Sequence, residues 1–109
     1  MIDNIFNVSK MVVATTGCSL ASITGIRYNR GFKTAVINTS DGLMIVCWNV
    51  RYPEQCTDIF DEKDDLKIIK KYIGVHGFTQ KKVAWILDIS QATVSLIMRK
   101  NGIEKKGDH

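Results

Sequence analysis

Between Phe78 and Asn101 the chain runs one local pattern twice, and that repetition limits the fold more than any other stretch does. Thr79 is preceded by Phe78 and followed by Val83, and Ser90 is preceded by Ile89 and followed by Val94. Each hydroxyl can accept from free N–H groups two or three residues on, and each stands between apolar residues spaced for a hydrophobic staple. Two helix starts are therefore predicted. Val83, Ala84, Ile86 and Leu87 form an apolar stripe on the first helix, and Val94, Ile97 and Met98 form one on the second. Helices this short hide such stripes only by packing on each other and on something else. Once they do, Gln91, Ala92, Thr93, Ser95 and Arg99 are left outward, a polar face free of acid with short side chains near its start.

This segment, about a quarter of the chain, resembles the helix-turn-helix of the phage repressor, Cro and related bacterial DNA-binding families. Gln80 opens the first helix, where such proteins often place a phosphate-binding polar residue. Ala84 is the small residue that lets the helices cross closely, Ile89 follows the turn, Ser90 caps the second helix, and Val94 and Ile97 are its inward anchors. Asp88 departs from the pattern, standing where the family usually has glycine. Aspartate tolerates the left-handed conformation better than most residues, at a cost.

The resemblance implies a recognition helix, Ser90 to Lys100, that enters the major groove of double-stranded DNA by its N-terminus. Gln91, Thr93 and Ser95 would read base edges, with Gln91 pairing to adenine; Ala92 would touch a thymine methyl, and Arg99 a guanine or a phosphate. Thr79, Gln80, Lys81, Lys82, Ser90 and Lys100 would hold the phosphate backbone. It also implies a homodimer on paired half-sites, because one helix in one groove gives little specificity. The expected output is repression, in a bacterium, phage or plasmid. A helical hairpin used for protein contacts is the bland alternative, but such a helix more often shows large apolar anchors than the polar face read here.

Composition limits the alternatives. At 109 residues the chain makes one compact domain or two very small ones, with enough core to need neither disulfides nor a metal. No stretch approaches membrane-spanning length, and the first residues carry an acid and asparagines instead of a secretory start, so a cytoplasmic protein is expected. Cys18, Cys47 and Cys56 are odd in number and lack ligand spacing, and His76 and His109 are isolated from them, so no metal is assigned. The net charge of +4 is unevenly placed. Up to residue 58 five bases face four acids, whereas from residue 77 onward six bases face three acids. Lys81 and Lys82 begin the first helix of the pair, and Arg99, Lys100, Lys105 and Lys106 follow the second, where phosphate attraction is useful.

The expected fold class is α+β: an N-terminal three-stranded antiparallel meander with a short helix, then a C-terminal trihelical unit. Ile2 to Ala14 suits a short amphipathic helix leading to a strand or loop. Leu20 to Tyr28 alternates as a strand, Asn29-Arg30-Gly31 turns, Phe32 to Ile37 forms a second strand, and Asn38 to Gly42 turns again. Leu43 to Val50 is a third strand without polar alternation, so it needs cover on both faces, from the N-terminal helix or a second copy. Pro53 ends that strand and makes residues 51–60 the boundary between a β-rich region, 1–60, and the helical unit, 61–101. Asp61, Glu62, Asp64 and Asp65 fit the first turn of a supporting helix with Leu66, Ile69 and Ile73 inward, stopped by Gly74 to Gly77. Residues 102–109 form a basic, frayed tail.

No catalytic residues are assigned. There is no glycine-rich phosphate loop, nucleophile elbow or metal-spaced histidine pair, and Cys56 with His76 is two residue identities and no more. No cofactor is expected. The competing function is a phage-type inhibitor or interaction protein that binds a host protein through its N-terminal half and uses the helix-turn-helix for autoregulation.

Overall fold

The computed structural model describes Gly17 and residues 19–105, which form a mixed α+β arrangement of one four-stranded antiparallel sheet followed by three helices. The expected N-terminal helix, Cys18 and the end of the tail lie outside the described residues. The chain divides between Glu62 and Lys63 into two compact units, two residues past the boundary expected from sequence.

The first unit is a meander, β1 (Ile23–Asn29), β2 (Thr34–Thr39), β3 (Met44–Cys47) and β4 (Thr57–Phe60), paired in that order. The three-strand expectation is therefore corrected to four. β3 already ends at Cys47, ahead of Pro53, and the sheet continues beyond Pro53 with β4. The chain makes two tight turns, closed by Tyr52 N to Asn49 O at 3.1 Å and Cys56 N to Pro53 O at 3.3 Å, and returns when Trp48 N donates to Cys56 O at 3.0 Å. β3 is also shorter than the apolar run. Val50 leaves the ladder, donates to Lys33 O at 3.2 Å, and buries its side chain with Ala35, Ile37, Ile45 and Cys47.

The first two strands start later than the alternation suggests. Ser19 O accepts both the backbone N–H and the hydroxyl of Ser22, which winds Leu20–Ser22 into a 3-10 turn ahead of β1. At the next connection Asn29 Oδ1 accepts from Phe32 N at 2.9 Å and the Thr34 hydroxyl donates to Phe32 O, so Phe32 belongs to the turn. The left-handed residue there is Lys33, at φ 52°, instead of Gly31. The β2–β3 turn is as expected: Gly42 takes φ 84° and Thr39 Oγ1 accepts from Leu43 N.

Register explains the missing alternation in the centre. Ala35, Ile37, Ile45 and Cys47 share one face, Val36, Met44 and Val46 the other, and all are buried. Each Val or Ile buried there contributes on the order of 1.5–3 kcal/mol. The edge strands β1 and β4 are less covered, and Ile26 and Ile59 are 39% and 45% exposed.

The second unit begins with α1 (Asp65–Ile69), capped by Asp64, whose carboxylate accepts from Lys67 N at 3.1 Å. The helix continues through Lys70–Val75 with a wider winding, in which His76 N reaches back five residues to Lys71 O. Ile68, Ile69, Tyr72 and Ile73 lie along its buried stripe. Gly77, at φ 72°, then reverses the chain, and Phe78 N donates to Tyr72 O at 2.8 Å. Two further helices follow, α2 (Gln80–Leu87) and α3 (Gln91–Asn101). α3 packs on both α1 and α2, so the three share one core.

Candidate nucleic-acid interface

Both helix starts are built as their sequence requires. Thr79 Oγ1 accepts from Lys82 N at 3.1 Å and Ser90 Oγ accepts from Thr93 N at 3.1 Å. The staple residues Val83 and Val94 are fully buried, and Ala84 is 94% buried beneath the crossing. Between the helices Asp88 adopts φ 58°, ψ 46°, and its N–H bonds back to Ala84 O and Trp85 O. Ile89 N donates to Ala84 O at 3.0 Å, which completes a Schellman stop of the type usually given to glycine. One residue later Ser90 starts α3, so only Asp88, Ile89 and Ser90 separate the helices.

The candidate base-reading residues do not stand equally clear. Gln91, Ala92, Thr93 and Arg99 are exposed, whereas Ser95 is half-buried on the flank toward the core. The Ser90 and Thr93 hydroxyls lie 2.8 Å apart and hydrogen-bond each other, so the cap that starts the helix also orients Thr93. Lys100 is exposed in the last turn beside Arg99. α3 contains no acidic residue, and Gly102, at φ 63°, ends it with Ile103 N bonded to Met98 O.

The candidate phosphate residues also sort themselves. Thr79, Lys81 and Ser90 are exposed. Gln80 is half-buried and its amide lies 3.5 Å from Met98 Sδ, which ties the start of α2 to the middle of α3. Lys82 is half-buried with Nζ 3.8 Å above the Phe78 ring. Phe78 stacks in turn on Tyr72 at 5.0 Å between centroids, and His76 tilts against both. Burial pushes the Lys82 ammonium below the ordinary lysine pKa, while the ring face favours its charged form. Of the four polar residues opening α2, Lys81 presents the freest charge.

Sequence reasoning passed over Leu96, which is 43% exposed on α3. The signal was available: at 3.6 residues per turn Leu96 falls between Ala92 and Lys100, opposite Val94 and Met98.

Cys47 is buried, its thiol pKa raised by loss of solvent, and Cys56 is half-buried beside it in the sheet unit, whereas His76 belongs to the helical unit. Among the described residues no cluster of three or more His, Cys, Asp or Glu side chains is placed to hold a metal, and no helix is long and apolar enough to cross a membrane. Compared with known proteins, the chain matches no family model, no curated protein and no solved structure.

Proposed function

We propose that this chain is a small, non-enzymatic, cytoplasmic transcriptional regulator that binds double-stranded DNA as a homodimer and represses by occupying its site. Its helix-turn-helix is α2, the turn at Asp88 and α3. The observation that carries the reading is the pairing of a short Schellman turn, which brings two capped helices together over Ala84, with an acid-free outward face on the second helix. A helix so held, ending in Arg99 and Lys100, suits a groove walled by phosphates. Gln91, Ala92, Thr93 and Arg99 face the bases, Ser95 reaches them only from the flank, and Thr79, Lys81, Ser90 and Lys100 fix the register. Gln80 and Lys82 act more in building the unit than in gripping DNA.

The test is selection from a random duplex library at physiological salt, followed by the salt dependence of the enriched site. A palindromic winner, with half-sites about 10 base pairs apart, is expected. Charge reversal at Arg99 combined with Gln91→Ala should abolish its binding without unfolding the protein.

A second reading has one observation in its favour. Ile26, Tyr52 and Ile59 are exposed apolar residues of the sheet unit, and exposed apolar side chains suit contact with a protein partner. Under that reading the chain is an interaction or inhibitor protein, and the Arg99 and Gln91 double variant keeps its main activity.

A further inference from the structure

Leu96 is the largest apolar side chain on the outward face of α3, and at 43% exposed it contributes little to the core. It stands one turn beyond the exposed Ala92, and these two make an apolar stripe between Thr93 and Lys100 on one side and Arg99 on the other. The surroundings say what such a stripe faces. α3 carries no acid, its last turn carries two bases, and its first turn carries two paired hydroxyls, so an apolar protein surface would have to strand these polar groups against itself. A polyanion with an apolar group at the floor of its groove satisfies both halves of the pattern. In the major groove that group is the 5-methyl of thymine, the one apolar feature of the base edges.

Resting on the DNA-binding reading above, we infer that Leu96, with Ala92, selects thymine by its methyl group at a fixed position in each half-site. Arg99, Lys100 and Lys81 then supply affinity that is indifferent to sequence, and Leu96 supplies discrimination that is indifferent to salt.

The experiment takes the duplex enriched by selection and replaces each thymine singly by deoxyuridine, which removes the methyl and leaves Watson–Crick pairing intact. For the full-length chain, one position per half-site should lose about fourfold in affinity, the worth of one buried methyl. Leu96→Ala should bind the thymine and uracil duplexes equally at that position and keep the wild-type salt slope. Because Leu96 is exposed, the variant's thermal unfolding should match that of the parent, which separates the effect from misfolding. Duplex binding with no uracil penalty anywhere, or a penalty that survives in Leu96→Ala, overturns the inference while leaving DNA binding in place. Failure to enrich any duplex overturns the DNA-binding reading and this inference with it. Self-association that Leu96→Ala weakens, with no effect on thymine discrimination, would assign the stripe to a second copy of the chain instead.

Discussion

Asp88 concentrates the cost of the helical unit in one residue. Its φ of 58° and ψ of 46° lie where an L-residue pays about 1–2 kcal/mol, and aspartate pays near the lower end because its short polar side chain helps. Its carboxylate also sits at the negative end of α2, which adds a few tenths of a kcal/mol against it. Glycine removes both terms and returns about 0.5–1 kcal/mol as unfolded-state entropy. Asp88→Gly is therefore expected to raise stability by about 0.5 kcal/mol. Asp88→Ile should lower it by about 1–2 kcal/mol, because β-branching is least compatible with positive φ. Urea unfolding of the three proteins checks the order. Lys82 carries the opposite kind of information. Its pKa is lowered in the fold, so the unfolded chain binds more protons as pH nears the lysine range, and stability from this group rises with pH up to the unfolded value. The stability difference between the wild type and Lys82→Met should thus shift in favour of the wild type between neutral pH and about pH 10.4. Lys81→Ala should flatten the logarithmic salt dependence of DNA binding by about one unit, and Lys82→Ala should change it less.

At the scale of elements, α3 depends on its cap. Ser90 satisfies Thr93 N and hydrogen-bonds the Thr93 hydroxyl, so Ser90→Ala should cost about 1 kcal/mol and Ser90→Gly only a few tenths. Amide exchange should quicken first at Gln91 to Thr93, the turn the cap holds. These helix starts were legible in the sequence because capping is local chemistry: a hydroxyl, two apolar neighbours and the residues between them suffice. The left-handed turn at Asp88 was expected only through the resemblance, which puts a glycine at that position. What could not be read locally was whatever a neighbour decides. Thr57–Phe60 is four residues long and includes an aspartate, and it becomes a strand because β3 presents a row of backbone groups to pair with. Phe32 has strand propensity, yet Asn29 and Thr34 bind its backbone into a turn. The wide winding after Ile69 leaves no mark in the apolar spacing, since Tyr72 and Ile73 fall inward as they would from an ordinary helix. On α3 the outward set was read correctly at Gln91, Ala92, Thr93 and Arg99, but Ser95 was placed too far outward and Leu96 was overlooked. Leu96 could have been read from the helical spacing, whereas the partial burial of Ser95 depends on what packs beside it.

Under the proposed DNA-binding function, the question for the whole molecule is how α3, a helix of 11 residues, obtains useful specificity. A single module of this kind buries on the order of 600–1,000 Å² on DNA, and each mismatched base pair costs it about 1–3 kcal/mol, too little against a genome of competing sites. Two copies held rigidly together sum these penalties and read twice the sequence. In the proposed dimer the candidate contact lies on the sheet unit. Ile26, Ile37, Ile45 and Ile59 pair directly across β1 to β4 and form one row, fully buried at its centre and 39% and 45% exposed at its two ends. Apolar side chains exposed on edge strands are costly in a monomer and useful in an association. Charged replacements there disturb little of the core, so Ile26→Lys and Ile59→Lys should leave thermal stability within about 1 kcal/mol of the parent. Sedimentation should then show the wild type associating as a dimer and Ile59→Lys as a monomer. On DNA, the wild type should bind a palindrome much more tightly than a lone half-site, and inserting half a helical turn between the half-sites should remove that advantage, since the second helix then meets the wrong side of the duplex. Ile59→Lys should bind both DNAs with the half-site affinity and ignore the insertion. A wild-type protein that sediments as a monomer and is indifferent to spacing would remove the dimer from the proposal, while the reading of a single half-site by α3 would stand on its own measurements.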